Sequence, residues 1–170
     1  MNVRDSVQAL TDTLKFNDDV LIVSLTDMTD DLARRRLRDG GPSIAWNIGH
    51  LLHSRNAIAA AVSCSGPDVD LDRITSSATD GQDYPTVREL QRAWTDFSER
   101  FVSVLTRLSP EELAAPSPIR LPHGERTLLD ALRFVVWHES LHLGQIVMLR
   151  SHHGLTPTAT LVVASADGRK

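Results

Sequence analysis

The sequence predicts an all-α protein, a four-helix bundle with long inter-helix connections. Apolar residues recur on alternating steps of three and four in four separate stretches, which is the period of one helix face. The last three stretches each open on a Ser or Thr placed as an N-cap. Strand-like alternation is absent apart from the short run Thr160-Leu161-Val162-Val163.

The first stripe runs Val3, Val7, Leu10, Leu14, Leu21 and Met28, with Asn17 and Ser24 as polar members of the same face. It predicts a helix over about residues 3–27. Ser43, after Gly41-Pro42, opens a second helix reaching about Cys64, with Ile44, Ile48, Leu51, Ile58 and Val62 on its apolar face. The third stripe is the cleanest: Val87, Leu90, Trp94, Phe97, Phe101, Val104 and Leu108 follow a Thr86/Glu89 capping-box pattern behind Pro85. Thr127 with Asp130 caps the fourth helix, which runs to about His153 and stops at Gly154, with Pro157 beyond. These four helices make residues 1–155 the bundle and 156–170 a C-terminal tail, frayed from Ser165 onward.

The joints after the first and third helices resemble one another. Thr29-Asp30-Asp31-Leu32-Ala33 and Ser109-Pro110-Glu111-Glu112-Leu113-Ala114 each precede a Gly- or Pro-marked connection and a Ser- or Thr-capped helix. Either one helix pair is used twice, or both joints converged on good capping residues. Residues 65–84 carry no period and many turn formers. A connection of that length is either a cover over one end of the bundle or a loose link.

Length and composition narrow the function. One hundred and seventy residues suit one domain with one sizeable core. Eighteen Lys and Arg against 22 Asp and Glu leave a net charge of -4, the wrong sign for a general nucleic-acid surface. No apolar run approaches the roughly 20 residues that span a bilayer, and Met1-Asn2-Val3-Arg4-Asp5 has no apolar leader segment. The expected setting is cytoplasmic, with a small-molecule substrate, no nucleic acid and no membrane. A single cysteine, Cys64, excludes an intrachain disulfide framework or a Cys-rich metal site. It reads as a thiol at a helix end.

Histidines carry the chemistry. His138 and His142 lie four apart on the inward stripe of the fourth helix, so their Cβ atoms stand about 5–6 Å apart, within reach of one ion. His50, four residues after Trp46 and flanked by Asn47, Ser54 and Ala57, sits on the second helix where small and polar neighbours leave space. A third ligand from a facing helix would complete an open three-histidine site inside the bundle. His53, one turn on, is the alternative to His50. His152 lies ten residues past His142, roughly 15 Å along the axis, too far to share the site. His123 and His153 read as solvent-side residues at element ends.

The run His138-Glu139-x-x-His142 is also the signature of zinc proteases. Gln145 and Met148 stand where the extended protease motif would continue, and Asp167 is the only acid after Glu139. The third ligand therefore comes from upstream, which removes most of the weight of a protease reading.

Trp46-Asn47-Ile48-Gly49-His50-Leu51 and Trp137-His138-Glu139-x-x-His142-x-Gly144-Gln145-Ile146 resemble the two signatures of the DinB-like (YfiT-type) superfamily. Their order, their separation and the four-helix frame agree with it over nearly the whole chain. The resemblance implies a four-helix bundle binding one divalent metal through His50, His138 and His142. It also implies an activity among metal-dependent hydrolases, thiol S-transferases using bacillithiol or mycothiol, and a mycothiol-dependent isomerase branch. Some members form homodimers, and an apolar surface on the first or third helix would serve that purpose here.

An ion held by three neutral imidazoles keeps its charge and open positions, and it activates water for hydrolysis or a thiol for transfer. The all-nitrogen set suits zinc or nickel first and iron or cobalt next, rather than calcium or magnesium. A low-molecular-weight thiol is the candidate second cofactor. Glu139, about 100° round the helix from His138, has three readings: a catalytic proton carrier, a group orienting a ligand, or the partner of an arginine such as Arg55. Gln145 and Asn17, polar on apolar stripes, are candidates to line or support the site. The rival to an enzyme is a non-catalytic, metal-stabilised binding or stress-response bundle, in which a fourth protein ligand closes the site.

Overall fold

Trp94, Phe97 and Phe101 are fully buried, as their three- and four-residue spacing requires. Each such burial contributes roughly 1.5–3 kcal/mol. The structure is a computed structural model describing residues 3–37, 41–75, 84–122 and 126–167. Its long helices are α1 (Val3–Ser24), α3 (Ile44–Ala59, continued by a 3-10 turn Ala60–Val62), α5 (Val87–Leu105) and α7 (Leu128–His152). Between and after them lie α2 (Asp30–Arg34), α4 (Leu71–Thr75), α6 (Pro110–Ala114) and α8 (Thr158–Asp167).

The caps form where expected. Ser43 Oγ accepts from Trp46 N, and Thr86 and Thr127 close reciprocal capping boxes with Glu89 and Asp130. Each cap satisfies N–H groups that the first turn leaves without partners, which is worth about 1 kcal/mol.

Around the bundle the order is α1, α7, α3, α5. Asn17 meets Glu139, and Ser24 meets Arg150, so α1 and α7 run in the same direction. Asn47 meets His142 while Arg55 meets Glu139, so α3 runs against α7. Val87 N donates to Asp30 Oδ1 at 2.7 Å, placing the start of α5 at the end of α1. The pattern is up, down, down, up. The α3–α5 connection must therefore return the length of the bundle, which is why residues 63–86 are many.

Two halves share one plan. Each has a long helix, a one-turn helix capped by Thr29 or Ser109, an isolated antiparallel bridge, and a second long helix. The bridges pair Arg36 with Ser43 and Pro116 with Thr127. In both, the bridge residue on the far side is the N-cap of the next helix. The resemblance between the two joints is thus a repeat of structure as well as of capping residues.

Two segments differ from the sequence expectation. The run Thr160–Val163 is helical, within α8. Thr158 Oγ1 lies 3.0 Å from Ser24 Oγ, and Arg150 links Thr156 O to Ser24 O. Docking on α1 and α7 overrides the local β-branched preference, and it accounts for the polar Ser24 on the inward face. Residues 65–84 are also not uniformly irregular, since α4 packs on α3 with Ile74 fully buried. A Cβ at Gly49 would stand 1.7 Å from Ile74 Cγ2, so this close approach requires glycine there. No helix among the described residues is long and apolar enough to cross a membrane.

Candidate metal centre

The α3–α7 contact brings His50, His138 and His142 together. His138 Nε2 lies 3.1 Å from His50 Nε2 and 3.1 Å from His142 Nε2, and ligand atoms of all three fall within 4.8 Å of one another. Nitrogens bound to one tetrahedral ion at about 2.0–2.1 Å stand roughly 3.3 Å apart, and cis nitrogens of an octahedral ion about 3.0 Å apart. The two distances to His138 Nε2 lie between these values, and with all three ligand atoms within 4.8 Å of one another the donor set fits a transition-metal ion. Among the described residues this is the one group of three or more His, Cys, Asp or Glu side chains with such convergence.

Each ring is held from behind. Trp46 stacks on His50 with centroids 4.8 Å apart and planes within 9°, and Phe134 stacks on His138 at 5.7 Å and 17°. In both cases the aromatic residue precedes its histidine by four, one helical turn. His142 Nδ1 lies 2.8 Å from Asn47 Oδ1 and 3.1 Å from Gln145 Oε1. Burial, followed by its two neighbouring imidazoles, lowers the His50 pKa to about 4. Burial likewise lowers those of His138 and His142. Neutral imidazole is the form that binds a metal.

The remaining histidines stand elsewhere. His53 and His152 are exposed, His153 is half-buried at the end of α7, and His123 lies outside the described residues. Cys64 is buried, with Sγ 3.6 Å from Ser65 O, and burial raises its pKa.

Glu139 takes the arginine-pairing arrangement of the three read from sequence. It is fully buried, with Arg55 Nε donating to Oε1 and Arg55 Nη2 to Oε2 at 2.9 Å. Asn17 Nδ2 adds a third bond to Oε2 at 3.3 Å. Arg55 also donates to Asp18 Oδ1 at 2.8 Å and to Ser98, and its guanidinium lies 4.2 Å over the Trp94 ring. This network joins α1, α3, α5 and α7. Asn17 therefore supports Glu139, whereas Gln145 supports the histidines.

In the sequence Asn47 stands as a polar neighbour of His50 and a member of its motif, with no role assigned, and the parts played by Phe134, Asp18 and Ser98 were missed. A usable signal existed for Phe134, because Phe134/His138 repeats the four-residue spacing of Trp46/His50.

A family model described as the DinB superfamily matches residues 13–146. The chain belongs to the DinB superfamily. The match spans the histidine-bearing parts of both α3 and α7. The fold of this DinB-superfamily protein resembles that of a conserved protein from Enterococcus faecalis, known from a crystal structure, with a TM-score of 0.65. That likeness, at 16% identity, covers 88% of this chain and 96% of the other. No curated protein matches the sequence.

Proposed function

We propose that this protein is a metal-dependent enzyme that transfers a low-molecular-weight thiol to an electrophilic small molecule, with His50, His138 and His142 holding one zinc or nickel ion. The observation that carries the reading is the convergence of three neutral imidazoles at metal-ligand spacing. When bound, such an ion supplies Lewis acidity at open positions and deprotonates a coordinating thiol outright.

The choice of thiol over water rests on the neighbouring acids. Helix α3 contains no Asp or Glu. Both acids of α7 are engaged, Asp130 in the Thr127 cap and Glu139 with Arg55. A free thiol ionises at about pH 8.5 and bulk water at about 15.7, so with the acids of α3 and α7 absent or engaged a thiol is the more readily activated nucleophile. Trp46 and Phe134 hold two of the rings, and Asn47 orients the third. In the reaction a C–S bond forms, a bond to the leaving group breaks, and the thiol proton passes to solvent. Glu139, paired with Arg55, ties α7 to α3, the two helices that carry the histidines. Hydrolysis by the same centre is the second reading.

Elemental analysis of untagged protein tests the first step. About one equivalent of zinc or nickel is expected, lost in His138→Ala while helical circular dichroism persists. Thiol consumption with bacillithiol or mycothiol and an alkylating electrophile follows. Turnover that requires the thiol supports transfer, and turnover without it moves the assignment to hydrolysis. Failure to bind any metal after reconstitution ends the proposal.

A further inference from the structure

The three histidines are not held alike. Asn47 is fully buried, and its Nδ2 donates to Ser43 O at 2.9 Å. Only the amide nitrogen can donate to that carbonyl, so the orientation of the amide is set and Oδ1 is the atom that faces His142. An acceptor 2.8 Å from His142 Nδ1 places the imidazole hydrogen on Nδ1 and leaves the Nε2 lone pair directed into the cluster. Gln145 Oε1 offers a second acceptor at 3.1 Å. That side chain is half-buried and comes from the same helix as His142, and no bond comparable to the one from Asn47 to Ser43 fixes its amide among the described residues.

His138 is the opposite case. Its Nδ1 is buried without a hydrogen-bond partner, whereas its Nε2 has two nitrogen neighbours at 3.1 Å. In the metal-free protein its hydrogen is best used on Nε2, where His50 or His142 can accept it.

We propose that Asn47 is a positioning residue of the histidine centre, locking His142 as the Nδ1–H tautomer and making it the anchoring ligand, while the buried Nδ1 of His138 has no such partner. The anchoring half rests on the metal-binding reading above; the tautomer half does not. Partners of this kind, which orient a ligand from behind, typically change metal affinity by about 10- to 100-fold.

Two measurements test the proposal. Long-range proton–nitrogen correlation spectra of metal-free protein with 15N-labelled histidine report each tautomer directly. Wild-type protein should show His142 as Nδ1–H and His138 as Nε2–H, and Asn47→Ala should lose the His142 preference. Asn47→Asp, which keeps an acceptor, should retain it. Competition of zinc against a chelator should show about 10- to 100-fold weaker binding in Asn47→Ala, with a smaller loss in Gln145→Ala. An Nε2–H tautomer at wild-type His142 overturns the lock, and this reading needs no variant to fold. Wild-type zinc affinity in Asn47→Ala, or an equal loss in Gln145→Ala, overturns the assignment to Asn47. Should wild-type protein bind no zinc, the metal-binding reading fails, and the spectra still decide the tautomer.

Discussion

Arg55 and Glu139, 84 residues apart in sequence, form a two-point ion pair with both side chains fully buried. Arg55 Nη2 reaches Glu139 Oε2 at 2.9 Å. Asp18 and the Trp94 ring supply further contacts to the same guanidinium. Burial opposes the Arg55 charge, but Glu139 and Asp18 together, through charge and hydrogen bonds, raise the Arg55 pKa above its ordinary value. Deleting one partner of a buried pair costs about 3–5 kcal/mol when the other charge is left alone; here Asp18 still faces Arg55 and moderates that cost. Glu139→Ala is therefore expected to lower the urea midpoint strongly while leaving the histidines able to bind metal. A loss below about 1 kcal/mol, the range of surface pairs, would show that the pair does not carry this role.

The metal-free protein should weaken in mild acid. Burial and the adjacent histidines hold the folded His50 pKa at about 4, below the unfolded value of 6.5. Between these values the unfolded chain binds more protons, so stability rises with pH. This contribution is fully present above about pH 6.5 and is lost as pH falls through about 4. Urea midpoints at a series of pH values should slope across this window in wild-type protein and slope less in His50→Gln. Equal slopes would remove His50 as the cause.

Gly49→Ala should disturb α4 more than the bundle. The added carbon meets Ile74, a fully buried side chain, at a distance that demands movement. Overpacking of this kind costs about 1–3 kcal/mol, and shifting a five-residue helix relieves it more easily than shifting α3. Faster proteolysis between α3 and α5 with little change in global unfolding is the expected result. Unchanged cleavage would mean that α4 does not rely on this contact.

By itself the sequence determined what lies within one helix. The stripe through Trp94, Phe97 and Phe101, the boxes at Thr86 and Thr127, and the shared face of His138 and His142 all follow from spacings of three and four residues. Such spacings are visible because one turn brings those residues together wherever the helix sits. Tertiary structure decided what each helix meets. His50 and His53 lie within a turn of each other, and only the crossing of α3 with α7 turns His50 inward and leaves His53 exposed. Pairing of Glu139 with Arg55, and of Asn47 with His142, joins helices whose register no local pattern records. The run Thr160–Val163 reads locally as strand, yet it is helical because α1 and Arg150 provide a surface on which it docks. Local periodicity specifies which face of a helix is apolar; the packing of the other helices specifies which polar groups on that face find partners.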